Sequence, residues 1–105
     1  MQSRLYNAIG LCMKAGKAKS GAYAAESSIR NGEARLVLLE ESASDATRKR
    51  YVSLCGNHGV PIYTVQSIGT AIGKPGRIVL AVTDDSFRKM LEELLVQENR
   101  AGVLL

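Results

Sequence analysis

Three short apolar runs, separated by stretches of helical period, constrain this chain more than anything else in it. The runs are "ARLVLLE" at 34–40, "VPIYTV" at 60–65 and "RIVLAVT" at 77–83. An unbroken run such as Leu36 to Leu39 suits a strand covered on both faces. "VPIYTV" and "RIVLAVT" are expected to be strands of the same kind, also covered on both faces. That is the situation of a sheet with helices on either side.

The segments between the runs carry helix signals. Over residues 3–15, Leu5, Ile9, Cys12 and Met13 fall on one face, with Ser3 to cap and Gly16 to stop. Residues 22–31 put Ala22, Ala25 and Ile29 on one face and end at Asn31-Gly32. "SASDATRKRYVSLCGNHG" gives a third helix, capped by Ser42 or Ser44 and stopped by Gly59. Its inner stripe is Tyr51, Leu54, Cys55 and His58. "SIGTAIG" reads as a short helix or tight loop, and "KPG" as a turn. Asp84 and Asp85 open a last helix, where Phe87, Met90, Leu91, Leu94 and Leu95 keep helical spacing. "KAKSG" at 17–21 is a weak fourth strand. The expected fold is α/β: a three-layer α/β/α sandwich around a four-stranded mixed sheet. At 105 residues the chain is read as one domain, 1–105.

The net charge of +4 is unevenly placed. Residues 1–50 hold nine Lys/Arg and five Asp/Glu; residues 51–105 hold five of each. Arg4, Lys14, Lys17 and Lys19 all precede the first acid, Glu26. Such a local field attracts polyanions, with a merely soluble basic surface as the plainer reading. With four Tyr, one Phe and no Trp, a binder of single strands built on rows of stacking rings is disfavoured. Cys12 and Cys55 are too few for a disulfide framework and fall on helix stripes, as reduced core residues of a cytoplasmic protein would. Arg4, Gly10, Lys14 and Lys17 interrupt any export signal, and no apolar run reaches membrane-spanning length. No membrane partner is expected.

The chain offers little catalytic chemistry. "GKAKSG" has the glycine spacing of a phosphate loop, but Ala22 and Tyr23 stand where Lys and Ser/Thr are required. Gly69, Gly73 and Gly76 do not spell a dinucleotide fingerprint. Cys55 and His58 could begin a metal site, yet only Cys12 offers a third ligand, and core packing accounts for both. The sequence contains one His, so it has no Ser-His-Asp set. The expectation is no enzyme, no cofactor and no metal.

"KAGKAKSGAYAAE" at 14–26 remains. A helix starting near Gly21 turns free amides and its positive dipole end outward. Gly21 permits close backbone approach, and Lys17 and Lys19 can flank one groove. The plainer reading is a tight strand-to-helix turn with solvated lysines.

Three stretches, "SGAYAAESSIRNGEARLVLLEESASDATRKR", "LCGNHGVPIY" and "IGTAIGKPGRIVLAVTD", together resemble the ribosomal-protein family of the L-seven-Ae and L-thirty-e type. The likeness is greatest to its small bacterial, YlxQ-like branch and spans nearly the whole chain. It implies an α/β/α sandwich that binds kinked RNA helices, the kink-turns. The first expectation is accordingly a non-enzymatic, monomeric RNA-binding protein associated with the ribosome or another structured RNA. It implies RNA contact from the strand residues Lys17, Lys19, Ser20 and Gly21. Contact would continue over the helix start, Ala22, Tyr23 and Ala24, to Ser27, and in the loop Ile72, Gly73, Lys74, Pro75, Gly76 and Arg77. The strong kink-turn binders carry Gly-x-Asn-Glu at this helix start, where the Asn and Glu read sheared G·A pairs and a Lys follows. Here the corresponding residues are Gly21-Ala22-Tyr23-Ala24 and Ser27. Tyr23 is placed to touch a nucleotide or to pack at the helix start. Two other functions stay open: a protein–protein module on the same fold, using the apolar tail Val103 to Leu105, and a small-molecule-binding domain.

Overall fold

The computed structural model describes the backbone of residues 3–102 and the side chains of residues 3–98, so the apolar tail lies outside the described residues. In chain order the described residues form α1 (Arg4–Lys14), β1 (Ala18–Ser20), α2 (Ala22–Arg30), β2 (Leu36–Glu40) and α3 (Asp45–Asn57). There follow β3 (Ile62–Val65), α4 (Ile68–Ala71), β4 (Val79–Val82) and α5 (Asp85–Gly102).

Short side-chain oxygens start three of these helices. Ser3 Oγ accepts from the Tyr6 amide at 3.0 Å, Ser44 Oγ from Thr47 at 3.1 Å, and Asp84 Oδ2 from Phe87 at 2.9 Å. Each such cap is worth about 1 kcal/mol. Gly32, at φ 78°, gives α2 the left-handed stop that Asn31-Gly32 predicts.

The strands pair in the order β1-β4-β2-β3. β4 runs antiparallel to β1 and β2, and β2 runs parallel to β3. Successive side chains on a strand point to opposite faces. Leu36, Leu38, Leu80 and Val82 therefore meet α1, α4 and α5, while Val37, Leu39, Val79 and Ala81 meet α2 and α3. The result is the expected three-layer sandwich with a four-stranded mixed sheet. The central strands β2 and β4 are buried on both faces, which is why their sequences are unbroken apolar runs.

Four expectations need correction. β3 lies at the sheet edge; Ile62 and Tyr63 are half-buried and Thr64 is exposed, so this strand is not covered as β2 is. Ala22 is exposed, and Ser28 joins Ala25 and Ile29 on the inner face of α2. His58 lies outside the inner stripe of α3: it is the exposed residue that ends the helix, with Nδ1 3.0 Å from the Leu54 carbonyl oxygen. Ile78 precedes β4 and is exposed, although it belongs to the apolar run.

Candidate nucleic-acid interface

β1 and α2 meet at Gly21. Its amide donates to the Val79 carbonyl at 3.0 Å, one step beyond the β1–β4 ladder. The chain then turns sharply, with Gly21 at φ 91° and ψ 160°, a conformation essentially confined to glycine. The first bond into α2 runs from the Ala25 amide to the Gly21 carbonyl at 3.0 Å. The amides of Ala22, Tyr23 and Ala24 precede it and are left as donors at the positive end of the helix. No side chain caps this start and no acid lies in the first turn. Even the short α4 is better served: Glu40 accepts from the Ser67 and Ile68 amides, both at 2.9 Å.

The nearest acid in sequence, Glu26, is committed elsewhere. One of its oxygens lies 2.7 Å from Arg50 Nη2, and the other accepts from the Tyr51 hydroxyl at 2.9 Å. Burial, followed by that bond to Glu26, raises the Tyr51 phenol above its ordinary pKa.

The loop before β4 forms the facing wall. Lys74 to Arg77 is a turn closed by the Arg77 amide on the Lys74 carbonyl at 3.2 Å. Pro75 and Gly76, the latter at φ 89°, occupy its central positions as a type II turn requires. α4 backs this turn closely: a β-carbon on Gly69 would lie 2.9 Å from the Lys74 oxygen. Arg77 Nη1 donates to both the carbonyl and the hydroxyl of Ser20, each at 2.9 Å, and so joins the two walls. Between them runs a groove lined by Ser20 to Ala24 and by Gly76, Arg77 and Ile78.

The anticipated site residues divide between groove and surroundings. Gly21, Ala22, Tyr23, Ala24, Gly76 and Arg77 line the groove, and Ser20 sits at its floor with its hydroxyl bonded to Arg77. Tyr23 is 89% exposed, so its ring is not packed at the helix start. Lys19 is exposed on β1; it faces Ala81 across the ladder and thus projects on the α2 side of the sheet. Gly73, Lys74 and Pro75 are exposed on the loop. Three residues stand apart. Lys17 lies at the far end of β1, its Nζ 3.9 Å from Asp84 Oδ1. Ile72 packs into the core beside α1 and α5. Ser27 is one turn along α2, where its hydroxyl accepts from Asn31 at 3.3 Å. Ile78 is the groove residue that sequence reading passed over. It is 39% exposed beside Tyr23, and its place in an apolar run disguised it.

The thiols lie elsewhere and on opposite sides of the sheet, Cys12 with α1 and Cys55 with α3. Burial pushes the Cys12 thiol up to about 12, helped by Asp84, and the Cys55 thiol up to about 11. His58 faces solvent, so Cys55 and His58 do not converge. Among the described residues no group of three His, Cys, Asp or Glu is arranged to hold a metal, and no helix is long and apolar enough to cross a membrane.

Comparison with known proteins agrees with this architecture. The chain is 42% identical over 90 residues to the RNA-binding protein YlxQ of Bacillus subtilis (strain 168), covering 83% of this chain and 90% of that one. It is 34% identical over 97 residues to RNA-binding protein YlxQ of Enterococcus faecium, covering 90% and 93%. Among solved structures, a Bacillus halodurans protein of unknown function superposes with a TM-score of 0.84 at 29% identity, over 90% of this chain and 98% of that one. The Giardia lamblia 15.5kD RNA binding protein superposes at 0.72 with 21% identity, over 92% and 89%, a likeness of fold. Residues 3–92 match the sequence profile of the ribosomal protein L7Ae/L30e/S12e/Gadd45 family, and with two relatives above 30% identity along most of their length, the chain belongs to that family.

Proposed function

We propose that this chain is a non-enzymatic, cytoplasmic, single-domain RNA-binding protein that acts as a monomer and grips a kinked RNA helix, in the ribosome or another structured RNA. The observation that carries the reading is the uncapped, acid-free start of α2, set across a groove from a basic turn. Free amides at a helix start bind phosphate oxygens without regard to base. Lys19 and Lys74 add charge at the rims. Tyr23 offers an exposed ring, and Ile78 an apolar edge, to a base or sugar. Two relatives named for RNA binding support the choice of polyanion. The buried, high-pKa thiols argue against nucleophilic catalysis.

Selectivity follows from what the helix start lacks. Tyr23 and Ala24 cannot supply the amide and carboxylate that read sheared G·A pairs in the strong kink-turn binders. Contact to phosphates persists without them, so the protein binds kinked RNA with modest base preference. The test is titration of fluorescent RNA with a G·A-containing kink against a straight duplex of equal length, across a salt series. Tighter, salt-dependent binding to the kinked RNA is expected; equal binding to both overturns the kink reading, and no binding to either overturns RNA as the ligand. The double substitution Tyr23→Asn/Ala24→Glu should sharpen the preference for G·A pairs over Watson–Crick pairs in the kink.

A further inference from the structure

We propose that Arg77 is a positioning residue, a clamp that holds the two groove walls at their working separation, and that its guanidinium is anchored to the protein rather than to phosphate. Three observations converge on its guanidinium. Nη1 donates to the Ser20 carbonyl at 2.9 Å and to the Ser20 hydroxyl at 2.9 Å. Ser20 is itself buried while Arg77 is exposed, so these bonds are partly shielded from water. A β-carbon on Gly21 would lie 2.6 Å from Nη1 and 3.4 Å from Cζ. The missing side chain at Gly21 is thus filled from within by Arg77, which gives that glycine a second use besides its backbone angle. Both bonds come from Nη1, and the rigid guanidinium plane fixes their direction as a lysine ammonium on its flexible stem would not. Arg77 also ends the Lys74–Arg77 turn, so fixing its side chain to Ser20 fixes the turn against α2.

The consequence for RNA rests on the binding reading above; the state of the guanidinium does not. In the RNA-free protein, a nitrogen-resolved NMR spectrum should show the Arg77 Nη groups as separate signals, because rotation about Cζ–Nη1 is restrained. A single averaged signal overturns the clamp. With kinked RNA, Arg77→Lys and Arg77→Met should each weaken binding by roughly tenfold, the scale of one charge-assisted hydrogen bond. Neither should change the slope of log affinity against log salt. A phosphate ligand behaves differently: Arg77→Lys would keep most affinity, and Arg77→Met would lower the slope by about 0.9. That pattern, or full affinity in Arg77→Met, overturns the proposal. If the unaltered protein binds no RNA, the function fails and the NMR spectrum alone decides the clamp.

Discussion

Gly21 shows two physical demands on one residue, and substitution separates them. Its backbone angles alone make alanine costly, by about 1–3 kcal/mol. Its seat beside the Arg77 guanidinium adds a steric cost that Gly32, at φ 78° with nothing within 4 Å of a β-carbon, does not share. Gly21→Ala should therefore destabilise more than Gly32→Ala in urea titrations, and Arg77→Met should recover part of the difference. If Arg77→Met recovers nothing, the clash is not what distinguishes the two glycines. The thiols make a second case at this scale. Cys12 rises from 9.0 to about 12 and Cys55 from 9.0 to about 11, in both cases chiefly through burial. Between those values the unfolded chain has lost protons that the folded chain keeps, so unfolding is favoured as pH rises. Their contribution is fully present below about pH 9 and lost through the folded values. Stability should fall above pH 9 in denaturant titrations, and a thiol reagent at pH 8 should react only on unfolding. Prompt labelling of the folded protein would contradict the burial of both groups.

Among elements, α4 is the smallest and the most dependent on its neighbours. It has four residues, too few to sustain itself, and begins at Ser67 in a left-handed conformation, φ 64°. Glu40 at the end of β2 holds it by accepting from two of its first amides. α4 in turn backs the Lys74–Arg77 turn, so the groove's second wall rests in part on a carboxylate at the end of β2. Glu40→Ala leaves both amides without their acceptor and should cost about 1–3 kcal/mol. Hydrogen exchange should quicken over 67–77 while the α2–α3 layer keeps its protection; uniform quickening would show that Glu40 supports the whole fold instead. Nothing local in the sequence pairs Glu40 with Ser67. The elements themselves were legible because their signals are local: Ser3 and Ser44 as caps, Gly32 as a stop, and the apolar stripe of α5. Two of the errors, β3 and Ile78, came from position in the sheet; the other two, Ala22 and His58, sit at helix ends, where the periodic stripe runs out. "VPIYTV" reads like "LVLLE", but one strand takes the edge and the other the centre, and only topology tells them apart. Ile78 failed for the same reason, since the run continues one residue outside the covered strand. In the site, the helix start and the loop were each legible, whereas Arg77 reaching Ser20, 57 residues away, was not.

At the scale of the whole molecule, the fold redistributes a charge imbalance that the sequence shows only as halves. The net +4 belongs entirely to residues 1–50, yet the groove and its flanks combine Lys19, exposed beside Ser20, from that half with Lys74, exposed on the turn, and the lining residue Arg77 from the other. Formal charge there exceeds the charge placed to meet an anion directly. Arg77 is held by Ser20, and Lys17 stands near Asp84 at the end of β1 remote from Gly21. The Lys17–Asp84 pair is long and half-exposed, so it contributes little to stability. What separates Lys17 from Lys19 is placement: four residues of extended chain put Lys17 about 13 Å from Gly21, and two put Lys19 about half as far. Bound phosphates at the α2 start should therefore feel Lys19 first. In anisotropy titrations with kinked RNA over a salt series, Lys19→Ala should flatten the slope by about 0.9, one phosphate's share. Lys17→Ala should flatten it less, and Arg77→Met not at all. A Lys17→Ala effect equal to that of Lys19→Ala would place the RNA along the whole of β1 rather than across its α2 end, and the groove would then be one margin of a longer track.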